Sequence, residues 1–274
     1  MINIGFDPIL VDLGRFQLAW HGIFTALAIV IAVMYGERRL IKAGMPGEIL
    51  GGVVIAAVIG GLIGARLFHV ADHLEYYLAN PLQAISLWEG GLAVYGAFFG
   101  GIIGAIIAVR RARFPVWPLL DAGAPAMLVG QAIGRIGCFM NGDAWGAPTG
   151  GDWGVVYSHP RDLIPLDLIG VPTHPYPLYE IGAVAVWVGA LWLLRGRLRS
   201  RGSTFLVAML GYAVIRFVLT FFRQETVVFW GLQEAQAIAL VTGVMALIAM
   251  LVLRTTGRMS AAPARSAETE NSAA

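Results

Sequence analysis

Residues 49–70 read ILGGVVIAAVIGGLIGARLFHV. Apart from Arg66 and His69 the run is apolar or glycine. A helix needs about 20 mainly apolar residues to cross the hydrocarbon core of a bilayer, so this stretch predicts a transmembrane helix. Runs of the same character recur at about 18–36, 91–109, 119–139, 178–194, 203–222 and 233–253, the one at 119–139 interrupted by Pro125 and several glycines. The chain therefore reads as an all-α membrane protein of about seven transmembrane helices. Of its 274 residues 58% are hydrophobic and 13% charged, against ~25% charged in a soluble domain. A net charge of +2 gives no argument for nucleic acid. The single cysteine, Cys138, excludes an intrachain disulfide and a zinc cluster of paired cysteines. Met1–Gly14 has no basic n-region and holds Asp7 and Asp12, so no cleavable signal peptide is expected.

Basic residues set the orientation. Arg38, Arg39 and Lys42 lie in the first connector, Arg110, Arg111 and Arg113 in the third, Arg195, Arg197, Arg199 and Arg201 in the fifth, and Arg254, Arg258 and Arg265 in the tail. These 13 of the 19 Lys and Arg share one side if seven spans alternate, and that side is cytoplasmic. The N-terminus and the long 140–177 connector then lie outside and the C-terminus lies inside. Residues 1–253 form one membrane domain, residues 140–177 a small periplasmic head between helices four and five, and residues 254–274 a disordered cytoplasmic tail rich in Ala, Ser and Glu. Within the head, Trp153–Tyr157 is strand-like. Trp20, Trp88, Trp117, Trp145 and Trp230 fall near the expected interfaces as an aromatic belt. Ala71–Gly90 is too polar to span, and its Leu74, Tyr77, Leu78 and Leu82 suggest a helix lying on the outer interface. Gly60–Ala65 and Gly100–Ala105 share one pattern, while Gly96, Gly100 and Gly104 form one small-residue ridge and Gly130 with Gly134 another. Such ridges serve close helix packing.

Three arginines fall within apolar segments: Arg66, Arg135 and Arg216. An arginine at a helix centre costs ~2.5–3.5 kcal/mol on the insertion scale, so it marks a function or an internal partner. Arg216 belongs to a stripe, Tyr212, Arg216, Thr220 and Arg223, whose spacing puts all four on one helical face. Convergent guanidinium groups near the outer leaflet suit an anionic ligand, phosphate above all. The alternative is that each arginine pairs with a carboxylate such as Glu180 or Asp143, or snorkels to the interface. Arg135 sits in GQAIGRIGCFMNGDAWG, residues 130–146, where glycines allow a bent or broken helix end and Asn141 and Asp143 mark the exit from the membrane.

At this segment the chain resembles the prolipoprotein diacylglyceryl transferases of bacterial inner membranes. Their signature is Gly-Arg-x-Gly-Asn-Phe-x-Asn-Gly-Glu followed by Gly, and residues 134–143 here read GRIGCFMNGD with Gly146 after them. Further matching pieces follow in order: Trp20-His21-Gly22, Gly64-Ala65-Arg66, Trp88-Glu89-Gly90-Gly91, Asp121 with Pro125, His174-Pro175 with Leu178-Tyr179-Glu180, and Gly211-Tyr212 with Arg216 and Phe221-Phe222-Arg223. The resemblance implies transfer of the diacylglyceryl group of phosphatidylglycerol to the lipobox cysteine of a prolipoprotein, forming a thioether and releasing glycerol phosphate. It implies Arg135 and Arg216 as the phosphate-handling pair, with Asn141, Gly146, Tyr212 and Arg66 at the substrate and Glu180 and Arg223 bracing the site. It implies no metal or organic cofactor.

The chain departs from the signature at several points. Relatives commonly carry histidine where this chain has Tyr95, and Tyr-Gly where it has His21-Gly22. The two positions are candidates to face each other, with His21 supplying the basic imidazole that Tyr95 cannot; the other reading makes His21 an interface histidine and no side-chain base essential. Cys138 replaces the signature asparagine and reads as a small buried filler, the other reading being a catalytic thiol. Asp143 replaces glutamate on a shorter arm, and Thr220 stands where relatives often have glutamate. A lipid transporter or flippase would also use arginines in broken helices, but the polar candidates cluster in the outer half, apart from Asp121. An inactive lipid-binding paralogue is the third reading.

Overall fold

In an apolar surround a helix satisfies every backbone N–H and C=O from within one segment, and the apolar runs fold accordingly. The computed structural model describes residues 1–14, 17–86, 91, 93–198, 200–225 and 227–256, with all their side chains except those of Val94, Tyr95 and Phe229. In chain order its helices are α1 (Trp20–Lys42), α2 (Glu48–Asp72), the short α3 (Leu74–Ala79), α4 (Val94–Ala112), α5 (Val116–Asn141), α6 (Tyr176–Leu194), α7 (Ser203–Leu219) and α8 (Glu234–Thr255). Each expected span coincides with one long helix. Five of them, α1, α2, α6, α7 with its 3-10 extension to Phe222, and α8, are long and apolar enough to cross a membrane. The tail beyond Thr256 lies outside the described residues.

The helices pack in pairs. α4 lies along α2 and α5 along α1. Between α2 and α4 the two copies of the glycine pattern face each other: a Cβ on Gly64 would come within 2.9 Å of the Cα of Gly100, and one on Gly60 would strike the Gly100 carbonyl. The seam thus needs glycine on both sides, and the repeated pattern is explained by close packing. The α1–α5 seam differs from expectation. Gly130 meets Ala28 and Ala32 as a ridge residue should, but Gly134 has nothing within 4 Å of its missing Cβ. Gly137 takes its place, with His21 Cα 2.9 Å from where its own Cβ would stand.

α5 is also less broken than its sequence suggests. It runs through Pro125 to Asn141 without interruption. It ends in a left-handed cap at Gly142, φ +71°, where the Tyr157 ring packs 3.1 Å from the missing Cβ. Further back, Asp121 caps the start of α7. Its Oδ2 accepts from the Gly202 N–H at 2.6 Å and its Oδ1 from the Phe205 N–H at 2.9 Å. This accounts for the one polar candidate that stands away from the others.

The connector between α5 and α6 folds as a small unit with help from the N-terminus. Strand β1 (Ile2–Ile4) pairs in parallel with the later strand at Val155–Tyr157. Ile4, Val155, Tyr157, Ile164 and Leu168 form its core, with Phe139 and Trp145 packed against them. The N-terminus and this connector therefore share one end of the molecule. Tyr157 is fully buried and donates to the Phe139 carbonyl at 2.9 Å, and burial pushes its hydroxyl pKa up. Strand β2 (Ile9–Asp12) pairs with β3 (Gln17–Ala19), β4 is Val155–Tyr157, and β5 (Val227–Phe229) pairs with β6 (Leu232–Gln233).

After α2, α3 and a 3-10 turn at Pro81–Ile85 expose Leu74, Leu78, Leu82 and Ile85, as an interface-lying segment would. Tyr77 does not join them. It is buried, with the Arg66 guanidinium 5.2 Å from its ring centre.

Candidate active site

Glu180, on the second turn of α6, is 1% exposed. A buried carboxylate survives only with cations or donors on both oxygens, and the helix spacing supplies them. Arg135 Nε lies 2.8 Å and Arg216 Nη1 3.4 Å from Oε2. Oε1 accepts from Tyr212 at 2.8 Å and from Gln131 Nε2 at 3.1 Å. Gln131 and Arg135 are one turn apart on α5, Tyr176 and Glu180 on α6, and Tyr212 and Arg216 on α7, so three helices each present two groups to one point.

A second carboxylate extends the cluster. Arg216 also donates to the Tyr176 hydroxyl, and its Nη2 lies 3.5 Å from Glu225 Oε1, which Arg223 Nη1 meets at 2.6 Å. The Arg223 guanidinium stands 4.9 Å from the centre of the Tyr176 ring. Thr220, fully buried, donates to the Arg216 carbonyl at 2.6 Å. The expected stripe thus faces the interior, and the carboxylate-pairing alternative holds for both arginines. Around Glu180 itself, Arg135 and Arg216 against one carboxylate leave one net positive charge.

That charge borders a cavity of about 850 Å³ lined mainly by apolar side chains of α1, α2, α4 and α5. His21, Gln131, Arg135 and Cys138 supply polar groups to its wall, and Gly134 leaves it open where a side chain would intrude. A smaller cleft of about 430 Å³ lies on the far side of Arg216, bounded by Trp145, Arg223, Glu225 and Glu234.

Next to Arg135 stands a second group. His21 Nδ1 is 3.2 Å from Asp143 Oδ2 and 3.7 Å from Cys138 Sγ, and Arg135 Nη1 is 3.6 Å from the same sulfur. Three of the positions at which the chain departs from the signature therefore meet in space. Cys138 is buried, as a filler would be, but it also joins His21 to Arg135. Asn141 touches this group through the backbone. It is 4% exposed, and its Oδ1 accepts from the backbone N–H of His21 at 3.2 Å, fixing the start of α1. Gly146 backs onto the His174 carbonyl, with no room for a Cβ.

Arg66 is not brought to this cluster by its described contacts. Buried toward the C-terminal end of α2, it donates to the carbonyls of Ala84 at 2.8 Å, of Gly91 at 3.0 Å and of Gln83. It staples the segment after α2 to the helix. The Tyr95 side chain and Trp88-Glu89-Gly90 lie outside the described residues, so the pairing of Tyr95 with His21 stays an expectation. The sequence reading did not single out Gln131, Tyr176 or Glu225. The signal for the first was present, a glutamine one turn before Arg135 in an apolar span.

The model of the family described as prolipoprotein diacylglyceryl transferase matches residues 8–252. Among curated proteins, the phosphatidylglycerol–prolipoprotein diacylglyceryl transferase of Halalkalibacterium halodurans is 32% identical over 244 residues, 88% of this chain and 84% of its own length. The protein of the same name from Synechococcus elongatus is 31% identical over 88% of this chain and 86% of its own length. That from Lysinibacillus sphaericus is 30% identical over 93% and 94%.

Proposed function

The chain belongs to the prolipoprotein diacylglyceryl transferase family, and on that premise we propose how it transfers the diacylglyceryl group of phosphatidylglycerol to the lipobox cysteine of a prolipoprotein. The observation that carries the reading is the net positive cluster of Arg135, Arg216 and Glu180 beside a large apolar cavity. A phosphodiester with two acyl chains has the complementary form: one negative charge and a long apolar body. The thiol sulfur attacks the glyceryl carbon bonded to the phosphate oxygen. A carbon–sulfur bond forms, the carbon–oxygen bond breaks, and its electron pair leaves with glycerol phosphate. The leaving phosphate gains a second negative charge, and Arg135 and Arg216 stabilise it where it develops. Glu180, Tyr212 and Gln131 hold the two guanidinium groups in place beforehand, and Arg223 secures Arg216 through Glu225. Activation of the incoming thiol falls to the side of Arg135 where His21, Cys138 and Asp143 meet. Tyr95 joins the site on the resemblance, and Tyr95→Phe tests its hydroxyl.

Seven membrane crossings fit the seven long helices, with the N-terminus and the head of residues 140–177 outside a bacterial inner membrane and the C-terminus in the cytoplasm. Support comes from the one-sided basic connectors and from the β1–β4 pairing. Labelling of single cysteines placed at Lys42 and Arg161, in a Cys138→Ser background, checks it: an impermeant reagent should reach only the second. The head and the exposed apolar segment after α2 would receive the signal-peptide end of the substrate.

The chemistry is tested by mass spectrometry of a lipobox peptide incubated with purified protein and phosphatidylglycerol. A diacylglyceryl mass gain that Arg135→Ala and Arg216→Ala abolish is the expected result. Lipid movement between leaflets without peptide product would favour a transporter instead, and folded protein that binds lipid without either outcome would be an inactive paralogue.

A further inference from the structure

We propose that His21, Cys138 and Asp143 form a mononuclear site for a divalent transition metal, zinc above all, whose fourth position takes the sulfur of the substrate cysteine. The inference deepens the transferase reading and rests on it for the identity of the fourth ligand, though not for the site.

The donor set is one imidazole nitrogen, one thiol sulfur and one carboxylate oxygen, all within 4.8 Å of one another. Around tetrahedral zinc such atoms stand about 3.2–3.7 Å apart, given metal–ligand bonds of ~2.0–2.3 Å. His21 Nδ1 to Asp143 Oδ2 is 3.2 Å and His21 Nδ1 to Cys138 Sγ is 3.7 Å. Thiolate and imidazole together select zinc over the hard cations. Asp143 gives a separate sign. Its Oδ1 is buried with no hydrogen-bond partner among the described residues, which an ionised carboxylate tolerates poorly unless a cation sits beside it.

The surroundings fit as well. Arg135 Nη1, 3.6 Å from Cys138 Sγ, would at first sight repel an ion. A divalent metal with one thiolate and one carboxylate is neutral, however, and a guanidinium N–H pointing at the sulfur then acts as an outer-shell donor to the thiolate. Asn141 holds the backbone of His21. Cys138 closes the back of the site, while His21 and Asp143 side chains are 41% and 26% exposed, leaving one side open. Three protein ligands with an open fourth position is the arrangement of reactive rather than structural zinc.

The chemistry balances. The substrate thiol replaces a water on the metal and binds as thiolate, its proton passing to solvent. The sulfur then attacks the glyceryl carbon of the phosphatidylglycerol held by Arg135 and Arg216. The phosphate oxygen keeps the bonding pair, and the neutral thioether, a weaker ligand, leaves the metal. Because Arg135 touches both groups, nucleophile and leaving group are presented side by side.

The test starts with metal alone. Full-length protein in detergent is stripped with a chelator and titrated with Co²⁺, without lipid or peptide. Equimolar binding with a sulfur-to-cobalt charge-transfer band, displaced by Zn²⁺, is expected. Cys138→Ser should abolish the band, and His21→Phe and Asp143→Ala should each weaken binding at least ~10-fold, the lower limit for losing even an outer-shell partner. Cobalt bound without the sulfur band, or bound equally by Cys138→Ser, would overturn the site. Transfer to the lipobox peptide should then fall on stripping and return with Zn²⁺. Undiminished transfer by stripped protein would overturn the catalytic part while leaving the transferase reading intact.

Discussion

α2 with α4 and α1 with α5 are two helix pairs built from similar material: each has a row of glycines and an arginine toward the C-terminal end of one helix. In the first pair the glycines meet glycines, the backbones touch, and Arg66 turns to the carbonyls of Gln83, Ala84 and Gly91. In the second, Gly130 and Gly137 hold the helices together while Gly134 opens onto a cavity, and Arg135 turns to a buried carboxylate and a thiol. A guanidinium on neutral carbonyls is a staple. A guanidinium sharing one carboxylate with another guanidinium keeps charge in reserve for a ligand. The two arginines thus differ in their described partners, neutral carbonyls in one pair and a carboxylate and a thiol in the other.

The largest effect should come from Arg135→Ala. Removing a group that stabilises developing charge costs ~10²–10³ in rate, so transfer to a lipobox peptide should fall by that much while the protein still folds. Arg66→Met is the matching change in the other pair. It leaves three carbonyls short of a donor and should lower stability by ~1–3 kcal/mol, seen as faster proteolysis between Ala79 and Gly91. Folded Arg66→Met protein should keep transfer within ~10-fold of the parent, well short of the oxyanion-type loss. A loss as deep as that of Arg135→Ala would erase the distinction and move Arg66 into the site.

The glycines give a finer test. Gly100→Val drives a branched side chain into the backbone of α2 and should destabilise by ~1–3 kcal/mol or more, measured by detergent or thermal unfolding. Gly134→Ala places a methyl in open space, so stability should stay within ~0.5 kcal/mol. Its effect should appear as a changed KM for phosphatidylglycerol with kcat little altered. Equal destabilisation by the two would mean that the α1–α5 seam is as closed as its counterpart.

Much of this architecture was legible in advance. Each expected span lies on a long helix, because a run of apolar residues has one economical backbone form in an apolar surround. The stripe Tyr212, Arg216, Thr220 and Arg223 was readable for a similar reason: helical periodicity fixes which residues share a face, whatever that face meets. The opposite faces were not readable. Nothing local to Gln131, Tyr176 or Glu225 says that they lie across from Arg135, Arg216 and Arg223. Gly134 looked like a ridge residue by spacing, and Tyr77 like a residue of the exposed segment. Both readings failed because spacing gives direction around a helix axis and says nothing of what stands opposite.

The sequence by itself determined that this is a helical membrane protein of the diacylglyceryl transferase type, with its polar groups gathered toward one end of the helices. Those conclusions depend on composition, period and motif, which are local. Only the tertiary structure decided that Glu180 is shared by two arginines, that Asn141 holds the backbone of His21, and that His21, Cys138 and Asp143 converge. His21 stands 117 residues from Cys138 along the chain, and only the packing of α1 against α5 through Gly137 brings them within reach.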